Sequence, residues 1–92
     1  MEWIYETLKD TYNLTYTRTA ALDDGYTIDV PVIRGVTENG RFDLYKDGEL
    51  YVFSFVVFSE EGKEQYSHTH PYDAMDAITY IQKFMEGKSI FS

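Results

Sequence analysis

The sequence predicts an α+β domain: an antiparallel meander of four to five strands with one helix at each end of the chain, in the order α-β-β-β-β-β-α. Three observations carry this. The run Glu49–Phe58 (ELYVFSFVVF) holds eight apolar or aromatic residues in ten, mostly Val, Phe and Tyr, the types that suit a pleated surface. Glycine turns at Glu38-Asn39-Gly40, Lys46-Asp47-Gly48 and Glu60-Glu61-Gly62 punctuate the middle of the chain at strand spacing. Both ends carry apolar residues at helical spacing instead.

Residues 2–12 place Ile4, Tyr5, Leu8 and Tyr12 on one helical face, with Glu2 and Glu6 near the positive end of the dipole and Asn13 as a left-handed cap. From Leu14 to Ala20, Thr alternates with Leu, Tyr, Arg and Ala, the pattern of a half-exposed edge strand. Leu22-Asp23-Asp24-Gly25 turns the chain. Tyr26 to Val36 follows, with Tyr26, Ile28, Val30, Val32 and Val36 at even positions. Pro31 removes a ladder donor there, which implies an edge or a bulge, and Gly35 marks a second irregularity.

The three later turns each have Gly in third place, as for a type I turn followed by a left-handed glycine. Three-residue loops oppose Val36 to Phe42, Leu44 to Leu50, Phe42 to Val52, and Val56 to Tyr66. The C-terminal helix should then cover an even face of Val30, Val32, Phe42, Leu44, Leu50, Val52, Val56 and Phe58. That helix runs from near Pro71 to about Glu86, with Ala74, Ala77, Ile78, Ile81, Phe84 and Met85 at helical spacing. Thr69 or His70 is its cap, Asp73 and Asp76 occupy its positive first turn, and Gly87 stops it. Residues 88–92 fray unless Ile90 and Phe91 dock.

The odd face is left with Ile33, Tyr45, Tyr51, Phe53, Phe55 and Val57, which is unusual for a sheet face meeting water. Three arrangements account for it. The N-terminal helix crosses over and covers it with Trp3, Ile4, Tyr5 and Leu8. A homodimer buries it, sheet against sheet or through swapped helices. Or a protein partner docks on it, with Tyr45, Tyr51, Phe53 and Phe55 as anchors inside an acidic rim of Asp29, Asp43, Asp47 and Glu49.

Composition narrows the function classes. Ninety-two residues make one domain, 1–92. With no cysteine there is no disulfide and no thiolate metal site, and a cytoplasmic location is expected. The N-terminus lacks the basic start and apolar run of a signal peptide, and no segment is long and apolar enough to span a bilayer. Sixteen acidic residues against eight basic ones give a net charge of −8, which argues against direct nucleic-acid binding and against anionic membrane surfaces. A basic protein partner is compatible with that charge, and so is simple solubility.

Chemistry is sparse. His68-Thr69-His70 is the one metal-like spacing, with Asp73 or Asp76 as a third ligand, but such pairs at strand-to-helix junctions are more often exposed or capping residues, so no metal is assigned. Ser54, Ser59 and Ser67 lack a nucleophile-elbow pattern, and the glycines form no phosphate loop. A domain of this size also has difficulty enclosing a substrate cleft. The expectation is a non-enzymatic interaction module without cofactor, binding a protein partner or a second copy of itself. The alternative is an acidic inhibitor, a nucleic-acid mimic of the phage counter-defence type, directed at a basic nucleic-acid-binding protein.

Overall fold

A computed structural model describes residues 1–21 and 25–88. The order is α1 (Glu2–Leu8), β1 (Leu14–Ala21), β2 (Thr27–Thr37), β3 (Gly40–Asp47), β4 (Leu50–Phe58), β5 (Glu64–Thr69) and α2 (Ala74–Met85). The five strands form one antiparallel sheet in chain order, β1-β2-β3-β4-β5. The expected α+β meander with a helix at each end is the fold. The Leu22-Asp23-Asp24 turn and the docking of Ile90 and Phe91 lie outside the described residues.

The helices differ from expectation at their ends. α1 stops at Leu8, with Lys9 still in right-handed helical geometry and no left-handed residue at Asn13. α2 begins three residues after Pro71: its cap is Asp73, whose side chain accepts a hydrogen bond from the Asp76 N–H at 2.8 Å. Asp76 in turn accepts from the Tyr72 N–H at 2.8 Å, so neither Thr69 nor His70 caps the helix. A short polar side chain reaching the first free amides does this better than a residue held in β5. Gly87, at φ +74, ends α2, and the Lys88 N–H closes on the Lys83 carbonyl at 2.8 Å.

Pro31 sits at a bulge. Thr17 opposes Val32 but Thr19 opposes Asp29, so β2 carries one extra residue against β1 at Val30-Pro31. Pairing with β3 begins only at Val32, so the missing proline N–H interrupts no ladder on that side. Gly35 makes no second irregularity. It pairs regularly with Leu14 and Phe42.

The register is where expectation and structure part. Thr37 pairs with Gly40 and Asp47 with Leu50, so these two hairpins close through two residues rather than three. Gly48 has φ +64 at the first central position while Glu49 stays at negative φ, the signature of a type II′ turn. Gly40 is not left-handed. It is glycine because a β-carbon there would lie 2.1 Å from the Val56 carbonyl oxygen. Only the third turn follows the three-residue reading, with Gly62 at φ +80 and Val56 opposite Tyr66.

Shortening the loop on each side of β3 by one residue turns β3 over relative to both β2 and β4. Phe42 therefore opposes Phe55, not Val52, and Leu44 opposes Phe53, not Leu50. Both helices pack on the face formed by Leu14, Ile33, Phe42, Leu44, Phe53 and Phe55, where Ile4 and Leu8 of α1 meet Ala77, Ile78 and Ile81 of α2. Phe42 and Phe53 stack at 5.0 Å, and Phe84 meets Phe42 edge-on at 5.3 Å. Of the even residues expected beneath α2, only Phe42 and Leu44 are there. Val32 and Val52 lie in a separate small cluster with Tyr45, against which Ile28 and Val30 pack.

Candidate interaction face

Among the described residues, the opposite face of the sheet carries no helix, and its residues align in three rows across the strands. The central row is Thr15, Arg34, Asp43, Ser54 and His68. On one side lie Thr17, Val32, Tyr45 and Val52, and on the other Val36, Arg41, Val56 and Tyr66.

The row centre is a fixed ion pair. Arg34 donates from Nε to Asp43 Oδ1 at 2.7 Å and from Nη2 to Oδ2 at 3.1 Å, and the carboxylate raises the guanidinium pKa further. A planar fork held on adjacent strands loses little freedom on pairing, so it acts as a rigid polar landmark. In the outer row, the Arg41 guanidinium lies 5.8 Å over the Phe58 ring and 3.4 Å from Glu64. The Tyr66 hydroxyl donates to the same Glu64 carboxylate. That bond, with a smaller contribution from Arg41, lowers the Glu64 pKa from its ordinary value.

Of the apolar residues on this face, Val32, Tyr45, Val52 and Val56 are buried, and the exposed ones lie toward its margins. Val36 is 63% exposed, Leu50 49% and Tyr66 66%. Phe58 is half-buried. An antiparallel sheet facing water normally shows polar side chains here, so these residues set the face apart.

The residues expected to form an aromatic anchor do not share a surface. Phe53 and Phe55 are buried beneath α2, and Tyr51 lies on the same covered face, with the Lys46 ammonium 5.0 Å over its ring. Tyr45 is buried on the helix-free side. The acidic rim is also corrected. Asp43 is bound to Arg34, and Asp29 lies on the bulged arm 3.4 Å from Arg18, so neither stands as a bare anion. Val36, Leu50, Phe58 and Tyr66 were missed as surface residues because the even face was assigned to the core. The signal that finds them is polar: only the two-residue register brings Arg34, Asp43, Ser54 and His68 into one line.

His68 and His70 lie close together at the end of β5. The rings of His68 and His70 meet edge-on at 5.6 Å, and His70 Nδ1 lies 3.1 Å from the Tyr51 carbonyl oxygen. Asp73 and Asp76 are engaged at the start of α2, and among the described residues no three His, Asp or Glu side chains gather around one point. On the helix side, an open groove of about 610 Å³ runs between the C-terminal end of α2 and β4–β5, floored by Phe55, Val57, Phe84 and Met85. A cavity of that volume was not expected in so short a chain.

Fold and face together define a two-layer α+β domain with one sheet face free of helix among the described residues. Comparison with protein families, with curated proteins and with solved structures finds no match. No helix is long and apolar enough to cross a membrane among the described residues.

Proposed function

We propose that this protein is a non-enzymatic interaction module whose working surface is the helix-free sheet face, and that its partner is a protein of basic character. The observation that carries this reading is the exposure of Val36, Leu50 and Tyr66 around the fixed Arg34–Asp43 pair. Interfaces combine such apolar and aromatic residues with a limited number of direct hydrogen bonds, and arginine is enriched in them. The net charge of −8 favours a basic partner by steering encounter more than by strengthening the bound state. Carboxylates at the β3–β4 turn, Asp47 and Glu49, and at the β4–β5 loop, Glu60 and Glu61, flank the face at both ends.

The test places a photo-crosslinking residue at Val36 or Leu50, and as a control at Thr79 on the exposed side of α2. The reading expects one protein adduct from the face positions alone, reproduced with that purified partner and lost in Leu50→Asp. Equal labelling from Thr79, or no adduct from the face, would remove it.

A further inference from the structure

Among the described residues, no element covers the outer edge of β5. β5 is the last strand of the sheet, α2 packs on β2 and β4, and every side chain from Glu64 to His68 is exposed. Edge strands are usually guarded by proline, lysine, a bulge or a covering element. At the opposite edge of the sheet, the arm of β1 beside the Pro31 bulge carries Arg18. β5 pairs with β4 without a break from Glu64 to Thr69, and its sequence, EQYSHT, contains no proline, no lysine and no bulge, with Glu64 its one charged residue. We propose that β5 pairs with β5 of a second copy across a two-fold axis at Tyr66, joining two sheets into one of ten strands. This goes beyond the reading of the helix-free face, and its truth does not depend on it.

Three observations select this occupant and this register. The first is the direction of the free backbone groups. The Ser59 N–H donates to the Lys63 carbonyl at 2.8 Å, so the alternation of an antiparallel ladder turns the amides of Gln65, Ser67 and Thr69 toward β4. Those of Glu64, Tyr66 and His68 point outward, to the free edge. An axis at Tyr66 pairs outward groups with outward groups: Tyr66 with itself, and Glu64 with His68.

The second is side-chain pairing. In that register each Glu64 carboxylate, which also holds Arg41 and the Tyr66 hydroxyl of its own chain, faces the His68 imidazole of the second copy on the helix-free side, once on each side of the axis. Gln65 faces Ser67 on the other side of the sheet, amide to hydroxyl. The segment is self-complementary about Tyr66, as an isologous contact requires.

The third is room. α2 packs on β2 and β4, and the side chains of β5 from Glu64 to His68 are exposed, so the edge is accessible to a second copy. The two helix-free faces then continue into each other, with Tyr66 and Phe58 of both copies on either side of the axis.

The experiment is sedimentation velocity over a dilution series reaching millimolar chain, with circular dichroism and urea unfolding as controls for folding. Wild type is expected to show a reversible monomer–dimer equilibrium. His68→Glu sets two carboxylate pairs face to face and should weaken the dimer by about tenfold or more. Adding Glu64→Lys to His68→Glu restores the opposition and should recover the wild-type constant to within about threefold on the same grounds. Tyr66→Pro removes an outward amide that no strand of its own sheet uses, so it should remain folded and become monomeric. Leu50→Asp, on the open face and away from the edge, should leave the dimer intact whatever it does to partner binding. A wild type that is monomeric throughout, a dimer indifferent to His68→Glu, or a charge swap that fails to restore it would each overturn the proposal. So would a dimer dissolved by Leu50→Asp and not by the edge variants.

Discussion

The Phe42 ring lies over Gly35, its cross-strand partner, so closely that a β-carbon on Gly35 would come 2.3 Å from the ring's Cε1. The glycine is buried within a regular strand pair, and its missing side chain is the space the ring fills. The ring cannot retreat, since Phe53 stacks on it at 5.0 Å and Phe84 meets its edge at 5.3 Å. Gly35→Ala should therefore destabilise the fold by about 1–3 kcal/mol, the usual cost of overpacking, read from the urea midpoint. A midpoint equal to wild type would show that the aromatic stack yields freely.

The two sheet faces should answer mutation very differently. Phe53 has no exposed surface, so Phe53→Ala should cost about 3–5 kcal/mol. Leu50 is 49% exposed on the helix-free side, and Leu50→Ala should change stability by no more than about 0.5 kcal/mol. Urea unfolding of the two variants checks the register directly, because the three-residue loops would reverse the order.

At the start of α2, Asp73→Ala should cost about 1 kcal/mol and Asp73→Asn only a few tenths, since Asn retains the capping oxygen. Thr69→Ala, at the position the sequence offered as a cap, should leave thermal unfolding nearly unchanged. A larger loss from Thr69 than from Asp73 would place the helix start where the sequence alone put it.

Tyr12 joins the end of the α1 region to the end of α2, its hydroxyl donating to Glu86 Oε2 at 2.5 Å. That bond, with Lys88 behind it, lowers the Glu86 pKa, and the same bond, aided by burial, raises that of Tyr12. The depressed carboxyl favours the fold above its ordinary value of about 4.3, and this is lost as pH falls through the folded value. The raised phenol favours the fold below about 10, and this is lost as pH rises through the folded value. Stability against pH should thus be flat between the two limits with an acid and an alkaline shoulder, both shallow because the pair is at the surface. Tyr12→Phe should soften both shoulders without removing them, since Glu64 and Tyr66 shift each other in the same directions. Unchanged shoulders in Tyr12→Phe would mean the tether does not persist in solution.

Much of this fold was legible because its signals are local. The helical spacing from Ala74 to Met85, the stop at Gly87 and the bulge at Pro31 follow from what single residues permit the backbone to do. The third hairpin was legible too, because Gly62 stands where a three-residue loop needs a left-handed residue. Legibility of the candidate face was poor. Tyr45, Tyr51, Phe53 and Phe55 looked like one surface only under the wrong parity.

The sequence by itself determined the elements, their order and the absence of any thiol chemistry. What only the tertiary structure decided was which side of each strand became core. β4 has apolar residues at both parities, so its periodicity could not choose. The choice fell to one residue of loop length at Gly40 and Gly48, and to whether a glycine supplied a turn or a space. Gly40 and Gly35 supply space, against the Val56 carbonyl and beneath the Phe42 ring. Those are contacts between strands, and they exist only once the sheet has formed.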